Sequence, residues 1–147
     1  MEEIQKVMDV NVWANKKLID LLFARHDHID QLVAISSGAA VSGARGWNAY
    51  ALSKATLNML IQLYAKEFPH CHFCSMAPGI IDTNMQEYIY GLPSDKRFPV
   101  LDKLKSAKGT SKMPPPDESA DLLIKGFQAA RNFESGSFLD IRNMDIS

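Results

Sequence analysis

The feature that most constrains the fold is a regular alternation of helical segments with short, almost continuous apolar segments. Helical periodicity covers three stretches of the chain, residues 2–23, 49–67 and 117–131. Apolar runs of strand length separate or follow them, at residues 31–37, 71–77 and 137–141. Apolar runs without polar alternation are typical of parallel strands that are buried on both faces. The sequence therefore predicts an α/β fold in which three parallel strands are adjacent and helices cover the sheet.

Composition restricts the classes of function. The chain has 147 residues, of which 46% are hydrophobic and 22% charged, values that are ordinary for one soluble globular domain. The net charge is −1 with scattered cations, so we expect neither a nucleic-acid partner nor an anionic membrane partner. No apolar run approaches the roughly 20 residues that span a bilayer, and the acidic start, MEEIQKVMDV, does not resemble a signal peptide. We expect a single domain, residues 1–147, in the cytoplasm.

The two cysteines stand in a pattern that also occurs in metal and redox sites. The segment HCHFC places a Cys-x-x-Cys pair between histidines. It lies in the predicted strand at 71–77, where residues three apart point to opposite faces of the sheet. Cys71 and Cys74 are therefore not placed to bind one metal or each other. We expect two core cysteines and no metal site.

Polar residues follow the strands at the edge where parallel α/β sheets bind ligands, outside the carboxyl ends of the strands. Ser37 ends the first strand, a Pro-Gly turn and the segment IIDTNMQ follow the second, and Asp140 ends the third. Tyr50 and Lys54 stand four residues apart, and thus on one face of the helix that returns from the first loop. Residues 88–116, rich in Lys, Pro and Gly, are expected to be irregular and to form a mobile lid that selects the substrate.

Each of these features also has a purely structural interpretation. Tyrosine–lysine pairs four residues apart arise by chance in most proteins, and a serine after a strand often caps a turn. Asp82 and Thr83 are typical residues at the start of a short helix, and Asp140 fits a solvated strand end. The functional interpretation depends on their occurrence together.

Together, these motifs resemble the short-chain dehydrogenase/reductases. The segment AISSGAAVSGARGWNAYALSK is similar to the catalytic segment of that family, with Ser37 standing 13 residues before the tyrosine of Tyr-x-x-x-Lys. APGIIDT resembles the family's nicotinamide loop, and DVNVW resembles the helix that carries its asparagine, here Asn11. GWNAYALSKATLNML and the tail FESGSFLDIRN are similar to sepiapterin reductases and benzil-type diketone reductases. The resemblance implies a Rossmann-like, doubly wound parallel sheet.

The resemblance also assigns catalytic roles. Carbonyl reduction places negative charge on the carbonyl oxygen and requires a proton there, and Tyr50 is the implied general acid. A neighbouring cation, Lys54, favours the phenolate form, and the resemblance further implies that Lys54 binds the nicotinamide ribose. Ser37 is the implied hydrogen-bond donor to the substrate carbonyl. Asn11 is implied to hold a water that links Lys54 to solvent.

Ligand contacts follow from the same resemblance. Beside Tyr50 and Lys54, the implied cofactor contacts come from one loop: Ile81, Asp82, Thr83, Asn84, Met85 and Gln86. The implied contacts of a small carbonyl substrate are Ser37, Gly38, Tyr50, Gly79 and Asp140, the last matching an aspartate that holds the pterin in sepiapterin reductases. The implied cofactor is NADP, with NAD not excluded. A homodimer is implied through the helices at 2–23 and 49–67, whose apolar residues cover more than one face.

The sequence departs from the family in its cofactor-binding half. A dinucleotide fold uses a strand, a glycine-rich turn and a helix N-terminus to bind the pyrophosphate. None of the eight glycines falls in such a turn; they stand at positions 38, 43, 46, 79, 91, 109, 126 and 136. We therefore expect the C-terminal half of a reductase, present as a fragment, a truncated gene product or a product of a misassigned start. The alternative is a catalytically inactive half-domain that acts only by association.

Overall fold

The computed structural model of the protein describes residues 1–146. Six α-helices and three strands follow one another, joined by one π-helical and two 3₁₀ turns: α1 Glu2–Met8, α2 Ala14–Arg25, β1 Gln31–Ile35, α3 Asn48–Glu67, β2 His72–Ala77, α4 Asn84–Gly91, α5 Pro99–Ala107, α6 Pro116–Ala130 and β3 Ser137–Asp140.

The strands form one parallel sheet in the order β1-β2-β3. Gln31 pairs with His72 and Ile35 with Met76 along β1 and β2, while Ala77 pairs with Asp140 at the end of β2 and β3. The predicted α/β fold with three adjacent parallel strands is thus confirmed. Because all three strands run the same way, their carboxyl ends lie at one edge of the sheet.

Helices cover both faces of this sheet. On one face, α2 and α3 pack on the strands through a cluster that includes Ile19, Leu57, Ile61 and Phe73. On the other face, α6 packs through Ala130 and its neighbours against Cys74, Met76 and Leu139. Gly126 lets α6 lie close to Met76 and Ile141, because a Cβ at this position would be 3.3 Å from the Met76 sulfur and 3.0 Å from the Ile141 side chain. The arrangement is that of a doubly wound sheet.

The first helix agrees with the prediction but contains an irregularity. The helical backbone runs from Glu2 to Arg25, and residues Asp9–Trp13 form a π-helical turn within it. A π turn widens the helix by one residue and alters its backbone hydrogen bonds, and such turns are frequent at functional sites. Asn11 lies in the middle of this turn.

The prediction of an irregular segment at 88–116 is wrong. The structure places the end of α4 and all of α5 in that segment, and their side chains Ile89, Leu101 and Leu104 form a small core of their own. Pro99 stands at the first turn of α5, where proline favours helix initiation because its missing N–H has no helical partner there. The Lys- and Pro-rich composition therefore concealed a short amphipathic helix.

The cysteines behave as predicted. Cys71 and Cys74 are free and buried, and they belong to the cores on opposite faces of the sheet. Within residues 1–146 no group of three His, Cys, Asp or Glu side chains is arranged to hold a metal ion. Among these residues, too, no helix has the length and apolar character needed to cross a membrane.

Candidate active site

A cleft of about 580 Å³ lies at the carboxyl edge of the sheet. We call it the edge cleft. It brings together most of the side chains singled out in the sequence: Ser37, Tyr50, Lys54, Gly79, Ile81, Thr83, Met85 and Gln86. Asn11, Gly38, Asp82, Asn84 and Asp140 stand outside its lining. These side chains come from three segments that are distant in sequence and converge on one concave site.

The end of β1 presents two serines with different roles. Ser36 is buried and donates a 2.6 Å hydrogen bond to the side chain of Asn58 on α3. Ser37 is only partly buried, and its hydroxyl oxygen accepts a 3.1 Å hydrogen bond from the backbone N–H of Ala39. The structure therefore shows the capping role of Ser37. Because the hydroxyl accepts in this bond, its own proton stays available to a ligand.

Tyr50 and Lys54 lie together on the first turns of α3. The Lys54 ammonium donates a 2.9 Å hydrogen bond to the backbone carbonyl of Ile35 and lies 5.8 Å from the centre of the Tyr50 ring. Trp47 packs edge-on against the same ring, with centroids 5.7 Å apart. The phenol is therefore held between an indole and an ammonium.

Partial burial acts on the charge of Lys54. Desolvation lowers the pKa of the Lys54 ammonium below its ordinary value, because burial disfavours the charged form. The bond to the Ile35 carbonyl occupies one of three ammonium protons. Two donors remain for ligand hydroxyls or for the phenol oxygen.

The loop after β2 forms the opposite wall of the edge cleft. Gly79 adopts a φ of +81°, which side-chain-bearing residues rarely adopt. Thr83 stands at the N-cap of α4, yet its side chain makes no capping hydrogen bond, so its hydroxyl is free of that structural role. The side-chain oxygen of Gln86 is buried and has no hydrogen-bond partner within residues 1–146. An unpaired buried acceptor is costly, and a ligand N–H in the cleft would satisfy it.

The π-helical turn connects to Tyr50 through hydrogen bonds. The Asn11 side-chain N–H donates to the Ser53 hydroxyl at 3.0 Å, and Ser53 donates to the backbone carbonyl of Tyr50 at 2.8 Å. The backbone carbonyl of Asn11 accepts a 3.0 Å hydrogen bond from the side-chain N–H of Asn15. The bonds through Ser53 link Asn11 to the first turns of α3, the helix that carries Tyr50.

Asp140 lies beside the site but is paired within the chain. Arg142 donates from its Nε and Nη2 atoms to the two carboxylate oxygens of Asp140, the first at 2.8 Å. These bonds hold the pKa of the Asp140 carboxyl below its usual range. A Cβ on Gly38 would lie 3.3 Å from the Arg142 guanidinium. The ion pair therefore touches the residue that follows Ser37.

Three contributors to this region were not predicted from the sequence. Trp47 lines the edge cleft three residues before Tyr50, a spacing that places both on one helical face. Arg142 stands two residues after Asp140, close enough in the chain to suggest an ion pair. The carbonyl of Ile35 carries no sequence signal, because every residue has one.

Comparison with known proteins identifies the family. The sequence model of the short chain dehydrogenase family matches residues 1–91. A benzil reductase ((S)-benzoin forming) from Bacillus subtilis is 31% identical over 95% of this chain. The sepiapterin reductase of Mus musculus is 32% identical over 74% of it. The chain belongs to the short chain dehydrogenase family, which by its named members is a family of oxidoreductases.

Solved structures show the same fold. A short chain dehydrogenase/reductase from Saccharomyces cerevisiae superimposes with a TM-score of 0.80 and 22% identity, and the match covers 98% of this chain and 58% of that one. The chain spans 61% of the length of the Bacillus subtilis relative and 41% of the mouse relative. Its relatives therefore contain parts that this chain does not match.

Proposed function

We propose that this chain forms the catalytic half of an NADP-dependent carbonyl reductase. Its substrate is a ketone, a diketone or the side-chain carbonyl of a pterin, and the product is the alcohol. The observation that carries the proposal is the convergence of Ser37, Tyr50 and Lys54 on one cleft at the carboxyl edge of the sheet. Similarity to benzil and sepiapterin reductases supports the substrate classes.

Tyr50 acts as the proton donor. As the carbonyl carbon gains a hydride, its oxygen gains negative charge, and the phenol transfers its proton to that oxygen. The Lys54 ammonium, 5.8 Å from the ring centre, stabilises the phenolate that remains. Ser37 donates its free hydroxyl proton to the same carbonyl oxygen and holds it in place, as an oxyanion-binding donor does.

The residues present fit the nicotinamide end of the cofactor. The unpaired oxygen of Gln86 is an acceptor for a carboxamide N–H, and Lys54 and Thr83 offer donors on the two walls of the edge cleft. Ile81, Asp82, Asn84 and Met85 complete the loop that we assign to cofactor contacts. When bound, the nicotinamide supplies the hydride. NADP is proposed over NAD on the similarity to sepiapterin reductases.

Substrate contacts are proposed for Ser37 and Gly79, which line the edge cleft together with Tyr50. They are proposed also for Gly38, which follows Ser37, and for Asp140, whose carboxylate lies next to Gly38. Asn11 is proposed as a positioning residue, because its hydrogen bond to Ser53 reaches the helix rather than the edge cleft. Proton exchange between Lys54 and solvent through water near Asn11 belongs to the same proposal.

A homodimer through the helical segments at 2–23 and 49–67 is also proposed. Exposed apolar side chains lie on the outer surface of these helices, with Leu52, Met59 and Leu63 on α3 and Leu18 and Leu21 on α2. Positions 52, 59 and 63 are spaced by seven and four residues, so they share one helical face. Large apolar side chains in such a patch are typical of protein–protein contact surfaces.

The alternative function is association without catalysis. The exposed outer edge of β1, where Ile35 is 44% exposed, is available to another strand, because edge strands present unpaired backbone groups. A chain that lacks a site for the pyrophosphate and adenosine would then serve only as a structural half-domain. Activity measurements separate the two proposals.

The experiment uses a chimera. The part of the Bacillus subtilis benzil reductase that this chain does not match is joined to residues 1–147, and circular dichroism confirms that the product is folded. We expect NADPH-dependent reduction of benzil, measured by NADPH absorbance. A folded chimera that binds NADPH but reduces neither benzil nor sepiapterin contradicts the proposed reductase function and favours the structural alternative.

A further inference from the structure

A second cavity lies directly beside the edge cleft. Its volume is about 750 Å³, which is within the usual range for small-molecule sites. Pro78, Gly79 and Ile80, the loop after β2, border both this cavity and the edge cleft. The two spaces therefore share one wall, and a ligand whose carbonyl lies near Tyr50 has the second cavity as its neighbour.

The second cavity combines an apolar floor with a basic rim, and we call it the basic cavity. Its apolar lining includes Ala107, Leu122 and Ile141. Its polar lining consists of cations and hydroxyls, namely Lys103, Lys112, Arg142, Ser106, Thr110 and Ser111. None of the described residues that line it is Asp or Glu. This lining suits a ligand that has an apolar body and a negatively charged group.

Two of the three cations are not neutralised within the protein. Arg142 is paired with Asp140, so this pair contributes little net charge. Lys103 and Lys112 form no ion pair with any residue in 1–146. Two unpaired ammonium groups on one rim create a positive potential, which attracts anions over the distance of a Debye length.

Arg142 connects the basic cavity to the edge cleft. A Cβ on Gly79 would lie 3.5 Å from the Arg142 Cδ, and one on Gly38 would lie 3.3 Å from its Nη2. The side chain thus runs along the shared wall and ends beside the residue that follows Ser37. The Arg142 side chain therefore lies between the basic cavity and the proposed carbonyl site, while the net positive charge of the cavity comes from Lys103 and Lys112.

We infer that the basic cavity binds an anionic substituent of the carbonyl substrate, held by Lys103 and Lys112. The inference rests on the proposed reductase function and narrows its substrate class to aryl ketones or diketones that carry a carboxylate on the part remote from the reacting carbonyl. The apolar floor takes the aromatic ring, and the two ammonium groups take the carboxylate.

Three matched ligands test the inference on the 147-residue chain by equilibrium dialysis. The first is 4-carboxybenzil, the second its methyl ester, which has the same diketone and no charge, and the third is benzoate, which has the anion and no diketone. We expect the acid to bind about fivefold or more tightly than the ester, as two exposed ion pairs allow. A smaller preference overturns the inference, as does benzoate that binds as tightly as the acid, since the anion would then not belong to the substrate.

The double variant Lys103→Gln/Lys112→Gln repeats the comparison of acid and ester without the two ammonium groups. Both side chains are exposed, and retained binding of the ester reports that the protein is folded. We expect the acid to bind no more tightly than the ester in this variant. Lys66→Gln, an exposed change near the end of α3, a helix that contributes no residue to the cavity lining, should preserve the preference. A preference that survives in the double variant overturns the inference.

The results that contradict the anion-site inference differ from those that contradict the proposed reductase function. If the chimera described above reduces benzil but the acid has no advantage, only the inference is wrong. If the acid binds preferentially but no diketone is reduced, the basic cavity is an anion site and the reductase proposal is wrong.

Discussion

The Lys54 ammonium donates a 2.9 Å hydrogen bond to the backbone carbonyl of Ile35, the last residue of β1. The same strand end continues into Ser37, so one segment of backbone places the serine and anchors the lysine. Tyr50, one turn before Lys54 on α3, is held between that ammonium and the indole of Trp47. The relative positions of all three proposed catalytic groups therefore depend on the packing of α3 against β1.

Replacement of Lys54 should reduce both the rate of catalysis and the affinity for the cofactor. In the chimera, Lys54→Met removes the ammonium that stabilises the phenolate and the donor proposed to bind the nicotinamide ribose. We expect both a large fall in kcat for benzil and weaker NADPH binding, measured by steady-state kinetics and calorimetry. Lys66→Met, an exposed lysine near the end of the same helix, is the control and should change neither. Unchanged NADPH affinity in Lys54→Met would contradict the proposed contact between Lys54 and the nicotinamide ribose.

The isolated chain should have no useful reductase activity. Positioning of the reactants accounts for several kcal/mol of a reaction barrier, and no glycine-rich turn at a helix N-terminus is present among residues 1–146 to bind the pyrophosphate. Calorimetric titration with NADPH should show no tight binding, and NADPH absorbance should stay constant with benzil. Tight binding together with turnover would show that this chain holds the whole cofactor by itself.

The apolar outer surface of α2 and α3 should support a dimer. Leu52→Glu/Leu63→Glu places charges where these side chains are 57% and 49% exposed. Sedimentation velocity should show a dimer for the unaltered chain and a monomer for the variant, because buried unpaired carboxylates are costly. Ile124→Glu, an equally exposed apolar position on α6 across the sheet, should leave the dimer intact. A dimer that survives the double change would place the interface elsewhere.

The thiol of Cys74 should make the folded state sensitive to alkaline pH. Burial raises the pKa of the Cys74 thiol from its ordinary value of 9.0 to about 11. Because the raised pKa belongs to the folded state, its contribution to stability is complete below about pH 9 and is lost as pH rises toward 11. Urea unfolding should show a steeper loss of stability across this window in the unaltered chain than in Cys74→Ala. If the free energy of unfolding depended on pH equally in the two proteins, the raised pKa of Cys74 would be contradicted.

The sheet was predictable because its strands are buried on both faces and therefore show as apolar runs, as at residues 31–35 and 72–77. Tyr50 and Lys54 were detectable because a helix places residues four apart on one face. Helix α5 was not predictable, because Pro99 and two lysines interrupt a short apolar stripe. The burial of that stripe depends on contacts with Trp47 and Ile80. Such contacts join distant segments and leave no local pattern.

The pairing of Asp140 with Arg142 was missed for a related reason. The resemblance implies a ligand role for Asp140, and in the structure its carboxylate also accepts three hydrogen bonds from Arg142 within the chain. An i, i+2 pair after a strand does lie on one side of the backbone. Its geometry, however, is set by the 3₁₀ turn that follows β3, in which Asp140 is the N-cap. A turn of three residues is too short to show helical periodicity in the sequence.

The role of Tyr50 as proton donor is tested most directly by the rate of NADPH-dependent benzil reduction, compared between the chimera with Tyr50 and the chimera with Tyr50→Phe. The substitution removes the proton donor and leaves the ring that packs against Trp47. General acid catalysis contributes about 10²–10⁴-fold, so we predict a fall in kcat of at least about 100-fold with NADPH affinity largely unchanged. A Tyr50→Phe chimera that retains more than about a tenth of the rate would contradict the role of Tyr50 as general acid.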